Sequence, residues 1–219
     1  MRQSILDAAR HLFIKGGYGN VPIRQISSHI GYSAAALYRY FPTKDDIFNA
    51  LAEEGLQLLM RSETSPSPPG ASPIKRLRHI ISGAFDFAKR YPEYYYLLFL
   101  DRSTPRLKLE ALDAFRQPMR PHLREILDEC AEAGELARGL DTWTVYNVIW
   151  TSMHGIASQY VCDRFPPFDP DDYARVMVDL VTAGLKAGTL NGVRLFDKAD
   201  GDMSPTARRK WLAAGRKKR

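Results

Sequence analysis

The sequence lacks a long apolar run: no stretch reaches the roughly 18 consecutive apolar residues of a transmembrane helix. Cysteine is scarce, since Cys130 and Cys162 lie far apart and belong to no disulfide or metal-binding motif. An amphipathic helical pattern begins at the first residues, where a secretory signal would have an apolar core. We therefore expect a cytoplasmic protein without a signal peptide, whose two thiols are reduced and buried.

Motifs that carry catalytic or metal chemistry are absent as well. The sequence has no nucleophile elbow, no phosphate-binding glycine loop and no paired-carboxylate site. His154 has no second His, Cys, Asp or Glu at ligand spacing, and His122 lies between two arginines. The sequence therefore predicts no enzyme activity, no cofactor and no metal site.

Apolar residues recur at helical spacing along most of the chain, and no convincing strand alternation appears. A first helix with one apolar face ends at Gly16 and Gly17. Pro22 suits the first position of the second helix, and Ser33, Thr43 and Asp169 suit N-caps. We predict an all-α fold, with later helices over residues 22–30, 34–40, 44–61, 74–90, 93–100, 105–133 (kinked near Pro118 and Pro121), 142–162 and 170–187.

Composition and charge divide this helical chain into segments. Residues 62–73 read SETSPSPPGASP, which predicts a loop because Pro and Gly interrupt regular structure. The formal charge is +3 over residues 1–50, −4 over residues 51–185 and +7 over residues 186–219. Basic ends suit a protein that presents them to a polyanion, although basic tails are often only solvated.

The segment from Ile26 to Asp46 predicts a DNA-binding element. A short helix over residues 22–30 runs into a tight turn at Gly31, Tyr32 and Ser33, and a second short helix follows at once. This is the layout of a helix-turn-helix, whose second helix can lie in a DNA major groove.

The first 50 residues resemble the DNA-binding head of TetR-type transcriptional repressors. The resemblance rests on the order and spacing of ILDAARHLF, KGGY, QIS, HIGYS and LYRYFPTKDDIF. Two features depart from the family pattern. Val21 stands where such repressors usually have Thr, which removes a hydroxyl cap, and three alanines open the recognition helix where a polar side chain is commoner.

The resemblance implies roles for the polar residues of this head. Tyr38 and Lys44 are expected to contact phosphates, and Arg39 and Tyr40 to reach base edges or phosphate. The alanines would let the helix sit deep and touch thymine methyl groups. The alternative is that these side chains are only solvent-exposed. The predicted DNA-binding residues are Arg24, Gln25, Ser33, Ala34, Ala35, Ala36, Tyr38, Arg39, Tyr40, Thr43 and Lys44.

Aromatic residues are concentrated in two body segments, YPEYYYLLFL and WTVYNVIWTSMHGI. On the helix that begins at Thr142, a stripe of two indoles, an amide and an imidazole falls on one face. Such a stripe can line a pocket for an apolar molecule with a polar handle, or it can be core. The predicted pocket residues are Phe85, Tyr95, Phe99, Trp143, Asn147, Trp150 and His154.

Small residues mark faces where helices can approach closely. In repressors of this type the last two body helices form a four-helix dimer interface, and these faces suit that role. Packing of the two helices within one chain is the alternative. The predicted interface residues are Thr151, Gly155, Ser158, Cys162, Val176, Leu180, Ala183, Gly184 and Ala187.

Together with the resemblance to TetR-type repressors, these observations predict a ligand-responsive transcriptional regulator that binds a palindromic operator as a homodimer, and the resemblance implies a repressor rather than an activator. The expected domains are a helix-turn-helix head (1–45), a connecting helix (46–61), the loop (62–73), a ligand-binding and dimerisation body (74–188) and a basic tail (189–219). A small apolar or aromatic effector would release the DNA. The competing hypothesis is a helical ligand-binding or protein-interaction module that has lost DNA binding.

Overall fold

The computed structural model describes residues 1–105, 109–163 and 169–193. Within these ranges the chain is helical and has no strand, which confirms the predicted all-α class. The basic segment 204–219 lies outside the described residues. The helices are α1 (Arg2–Gly16), α2 (Ile23–His29), α3 (Ala34–Tyr38), α4 (Lys44–Glu63), α5 (Pro73–Arg90), α6 (Pro92–Tyr95), α7 (Leu109–Glu132), α8 (Thr142–Cys162) and α9 (Pro170–Lys186).

Three short helices form the head because each contributes one apolar face to a shared core. Phe13 of α1, Ile26 of α2 and Leu37 of α3 are fully buried. A 3-10 turn, Tyr18–Asn20, follows Gly17, whose φ of 76° is the left-handed region that favours glycine. Gly31, with φ of 72°, makes the turn between α2 and α3.

The predicted caps at Ser33, Thr43 and Asp169 are confirmed, because each side chain accepts a hydrogen bond from the first turn of its helix. Thr43 forms a full capping box with Asp46. Pro22 is the N-cap of α2 rather than its first helical residue. It has no side chain that could cap the helix, so the hydroxyl missing at Val21 is not replaced.

Some helix ends differ from the predictions, because the apolar periodicity of the sequence does not by itself show where a helix stops. The recognition helix α3 stops at Tyr38, not Tyr40, and α4 continues to Glu63 because buried residues extend its apolar face. Pro118 and Pro121 lie inside α7, which runs without interruption through both. Pro105 lies outside α7, which begins at Leu109 in the described part of the chain.

The body is arranged around α5, which packs against α4, α7, α8 and α9. The contact with α4 is unusually close at Gly83, where a Cβ atom would stand 2.7 Å from the Glu63 Cα. Gly55 of α4 is likewise pressed against Leu98 and Tyr94. Helix α6 continues directly into a π-helical turn, Tyr96–Leu100. Among the described residues, no helix has the length and apolarity needed to cross a membrane.

Candidate functional site

The recognition helix α3 is held in place by its ends and by one apolar face. The Ser33 hydroxyl accepts a hydrogen bond from the Ala36 amide at 3.2 Å. Leu37 is fully buried and Phe41 is 4% exposed, so both anchor the helix to the head core. This anchoring leaves the remaining residues of the segment free to face solvent.

The predicted DNA-contacting side chains are at the surface of the head. Tyr38 and Tyr40 are 49% and 41% exposed, which is unusual for phenols, and Arg39 between them is also exposed. Arg24 and Gln25 are exposed in the first turn of α2. Of the three alanines, Ala35 is exposed, and Ala34 and Ala36 are half-buried. Two phenols and a guanidinium are therefore exposed at the end of α3.

Thr43 and Lys44, at the start of α4, are more constrained than the sequence suggested. The Thr43 hydroxyl caps α4 and also donates to the Asp46 carboxylate at 2.7 Å. Lys44 Nζ donates to the Tyr18 carbonyl at 2.9 Å and lies 4.2 Å from the centre of the Tyr18 ring. An ammonium group has three donors, so this bond leaves Lys44 able to contact a phosphate.

Tyr18 connects the start of α4 to the rest of the head. Its ring packs edge-to-face against Phe13 and Phe48, and its hydroxyl donates to the Asp45 carboxylate. Burial, together with the Asp45 carboxylate, raises the pKa of Tyr18, so the hydroxyl keeps its proton at neutral pH. The start of α4 is therefore fixed by one aromatic residue.

Arg2 is a basic residue that sequence reasoning missed. Its guanidinium lies 5.2 Å from the centre of the Phe41 ring, directly after the recognition helix, and the side chain is exposed. Arg2 therefore adds a cation beside α3. The signal in the sequence was a basic residue at the start of an amphipathic helix, which alone does not indicate where the side chain lies.

The predicted pocket residues do not come together in one place. Tyr95, Phe99, Trp150 and His154 form an aromatic cluster between α6 and α8, with ring centroids 5.2 to 5.8 Å apart. Trp143 stacks on Tyr146 instead, and Phe85 packs against Tyr160. The stripe on α8 spans eleven residues, or about 16 Å, so its two ends meet different neighbours.

Two polar groups of this stripe are used internally. The Tyr95 hydroxyl hydrogen-bonds His154 Nδ1, and burial lowers the pKa of His154, which is therefore neutral near pH 7. The Asn147 amide donates to the Trp143 carbonyl at 2.8 Å. In the structure both groups therefore already have partners.

Two cavities lie elsewhere in the body. One of about 640 Å³ lies between α7, the connection from α7 to α8 and the end of the described chain, and Trp143 and Leu127 contribute to its wall. One of about 550 Å³ lies between the 68–71 loop, α5 and α9, and includes Phe85. Both fall within the usual size of small-molecule sites. The aromatic cluster lines neither of them.

Glu63, at the end of α4, is the most unusual polar residue of the body. It is 3% exposed, and its Oε2 accepts no hydrogen bond from the described residues. Burial raises the pKa of Glu63 to about 8. Burial also raises the pKa of Cys130 to about 11, as expected of an unreactive thiol. The described residues contain no cluster of His, Cys, Asp and Glu that could hold a metal ion.

Comparisons with known proteins match both parts of the chain. A family model described as bacterial regulatory proteins of the tetR family matches residues 5–51, and a model of the tetracyclin repressor-like C-terminal domain matches residues 77–181. The chain belongs to the TetR family of transcriptional regulators. Its members are DNA-binding regulators rather than enzymes.

Individual TetR-family relatives match over part of their length. The transcriptional repressor KstR of Rhodococcus jostii is 38% identical over 82 residues, which are 37% of each chain. The nucleoid occlusion factor SlmA of Haemophilus influenzae is 32% identical over 92 residues, 42% of each chain. The chain therefore matches less than half the length of these relatives.

Solved structures share the fold over most of the chain. FadR from Bacillus subtilis, in complex with stearoyl-CoA, superposes with a TM-score of 0.69 at 20% identity, over 84% of this chain and 99% of FadR. The ketosteroid regulator KstR2 of Mycobacterium tuberculosis gives a TM-score of 0.61 at 19% identity, over 84% and 94% of the two chains. At such identities the likeness establishes the fold.

The faces at which this TetR-family chain is predicted to dimerise are partly exposed. On α9, Val176 is 57% exposed and Leu180 is 65% exposed, and Ala183 and Ala187 are also at the surface. Gly184 is half-buried against Thr189 of its own chain. On α8, Thr151 and Gly155 are exposed, whereas Ser158 and Cys162 are half-buried.

Proposed function

We propose that this chain is a homodimeric transcriptional repressor that binds a palindromic operator and is released by a small, mostly apolar effector. The observation that carries the proposal is the recognition segment, where Tyr38 at the end of α3 and Arg39 and Tyr40 directly after it are exposed, while buried Leu37 anchors the helix. Exposed phenols beside a guanidinium can hydrogen-bond phosphates and base edges. The positive charge of residues 1–50 supports the same partner.

The exposed face of α9 supports a dimer. Val176 and Leu180 are four residues apart and more than half exposed, so they form an apolar strip on one side of the helix. A two-fold axis would pair this strip with its copy and place two recognition helices on half-sites about 34–36 Å apart.

The dimer is tested by mass measurement in solution. The native chain should have about twice the 24.8 kDa of one chain. Leu180→Lys should give a folded monomer, because a charge replaces the most exposed aliphatic of the strip. Gln117→Lys, which adds the same charge at an exposed position of α7, should stay dimeric. A native monomer would contradict the proposal.

The body supports an apolar effector. The aromatic cluster gives apolar surface beside α8, and the cavity next to α7 combines apolar wall residues such as Leu127 and Trp143 with polar ones such as Arg124. FadR of B. subtilis shares this fold with stearoyl-CoA bound, so that molecule is a reasonable first probe.

DNA binding and release are tested together by fluorescence anisotropy with the DNA upstream of the protein's own gene. We expect at least about a thousandfold preference over scrambled duplex at physiological salt. Ligands that raise the melting temperature, with stearoyl-CoA and smaller aromatic compounds as probes, should weaken DNA binding. Ligand binding without any preference for the upstream DNA would favour a module that has lost DNA binding.

A further inference from the structure

We propose that Asp101 and Ser103 are positioning residues for DNA binding: they fasten the head to the body and so fix the distance between the two recognition helices of a dimer. The inference rests on the proposed function, because a fixed distance matters only to a protein that reads two half-sites. These two residues with the backbone of Tyr18 and Gly19 are called the Asp101 latch.

The latch joins the body segment after α6 to the 3-10 turn of the head. The Tyr18 amide donates to Asp101 Oδ2 at 3.0 Å, and the Gly19 amide donates to Ser103 Oγ at 2.9 Å. The Ser103 amide and hydroxyl both donate to Asp101 Oδ1, at 2.8 and 2.6 Å. Both carboxylate oxygens are therefore used, one toward the head and one to hold the second latch residue.

The latch is tightly fitted and charged. A Cβ atom on Gly19 would stand 3.2 Å from the Ser103 Cβ, so a side chain at this position would crowd the serine. Partial burial opposes ionisation of Asp101, but the hydrogen bonds from Ser103 and the Tyr18 amide lower its pKa below the ordinary value. The carboxylate is thus ionised at neutral pH, and its hydrogen bonds are charge-assisted.

On the head side, the latch ends at the predicted DNA contact. The Tyr18 amide donates to Asp101 and its hydroxyl donates to Asp45. Its carbonyl accepts a hydrogen bond from Lys44. Asp101 is therefore separated by one residue from the start of α4. A shift of the latch would move the Tyr18 backbone and with it the Lys44 ammonium group.

On the body side, the latch begins at the π-helical turn. The Asp101 amide donates to the Tyr96 carbonyl at 2.9 Å, which is the five-residue spacing of a π-helix. The same turn contributes Phe99 to the aromatic cluster, 5.3 Å from Trp150. A π-turn holds one residue more than an α-turn, so its relaxation to α geometry would rotate Asp101 by about 100°. The orientation of Asp101 therefore depends on the geometry of the π-turn.

A second contact between α1 and α6 lies beside the latch. Arg10 donates to the Tyr94 hydroxyl at 2.6 Å, and its guanidinium lies 3.9 Å from the Glu93 carboxylate. Exposed ion pairs such as Arg10 with Glu93 contribute little to the free energy of folding. The hydrogen bond from the charged Arg10 to Tyr94 holds α1 near α6, and the proposed role of Asp101 is to fix the orientation of the head.

The test measures how DNA affinity depends on the distance between half-sites. Operator duplexes are made from the upstream DNA, with single base pairs inserted between the half-sites, each of which adds about 3.4 Å and about 35°. Wild-type protein should lose about tenfold in affinity at the first insertion. Asp101→Ala should bind the native spacing more weakly and lose less than about threefold at the first insertion.

Controls separate positioning from folding and from the proposed function. Glu132→Ala removes the same charge from the far end of α7 and should behave as wild type. Asp101→Asn and Ser103→Ala keep part of the latch and should give intermediate spacing profiles, and thermal melting shows that each variant is folded. If wild type has no operator preference, the proposed function fails. If wild type binds the native half-site spacing best and all three latch variants show the same dependence on spacing, Asp101 and Ser103 do not position the head.

Discussion

The head and the body are both held together by apolar helix faces, but the side chains proposed for DNA binding lie outside the head core, whereas the aromatic side chains predicted to line a pocket lie within the body. In the head, Tyr38, Arg39 and Tyr40 are exposed and lie between two residues of the core, Leu37 and Phe41. In the body, Tyr95 and its aromatic neighbours lie inside and carry part of the packing. Substitution of the exposed head residues is therefore expected to leave the fold intact, whereas substitution within the aromatic cluster is expected to disturb the packing of the body.

The largest expected effect separates these roles within one short helix. Leu37→Ala should lower the free energy of unfolding by about 2–5 kcal/mol, because it leaves a cavity under α3. Tyr38→Ala, one residue away, should change it by less than about 0.5 kcal/mol yet weaken DNA binding. Chemical denaturation and anisotropy on the same samples measure both. Equal loss of stability in the two variants would contradict the assignment of Leu37 to the core and of Tyr38 to the surface.

The next effect is the pH dependence of the body, through Glu63. Its pKa of about 8 in the folded chain exceeds that of an exposed glutamate, about 4.5, so between these values the folded state holds a proton that the unfolded state has released. The free energy of unfolding should fall as pH rises through this window, by up to about 1.4 kcal/mol per pH unit.

Glu63→Gln should remove that slope, because the amide resembles the protonated acid and cannot ionise. Glu53→Gln, at an exposed position of the same helix, is the matched control and should keep the wild-type dependence. Denaturation at several pH values from 5 to about 8 measures the difference. A slope that survives in Glu63→Gln would show that this carboxyl is not the buried acid.

The smallest expected effect concerns the constrained cation at the start of α4. If Lys44 contacts a phosphate, Lys44→Gln should weaken all DNA sequences alike and reduce the slope of log affinity against log salt by about one. Arg39→Ala should instead reduce discrimination at one base pair, by about 1–3 kcal/mol, if Arg39 contacts a base edge. Salt titrations with matched and mismatched duplexes distinguish the two. An unchanged slope for Lys44→Gln would leave this lysine bound only to Tyr18.

Much of the head could be predicted from its sequence because its constraints are local. Ser33 and Thr43 each cap the helix that follows by accepting a hydrogen bond from the amide three residues further along the chain. The turn between α2 and α3 requires Gly31 because its φ is positive. Residues close in sequence therefore determine these structures. The end of α3 at Tyr38 was less predictable, because Arg39 and Tyr40 are compatible with a longer helix. Contacts between distant residues, such as Arg2 with Phe41, leave no periodic signal.

In the body the helices were predictable but their neighbours were not. The spacing of Trp143, Trp150 and His154 places them on one face of α8, yet the end of α6 and the π-turn that follows it contact only the later part of that face. The burial of Glu63 depends on a close approach to Gly83, twenty residues further along the chain. The π-turn before Asp101 likewise has no sequence signature. Packing between elements decides all three.

A stoichiometric titration shows whether two copies of α3 bind the two half-sites of one operator. Labelled operator duplex, at a concentration well above the dissociation constant, is titrated with protein, and a second duplex has one half-site scrambled. We expect saturation at two chains per intact duplex and at least about a hundredfold weaker binding to the scrambled one. Saturation at one chain per duplex, or equal affinity for both duplexes, would contradict it.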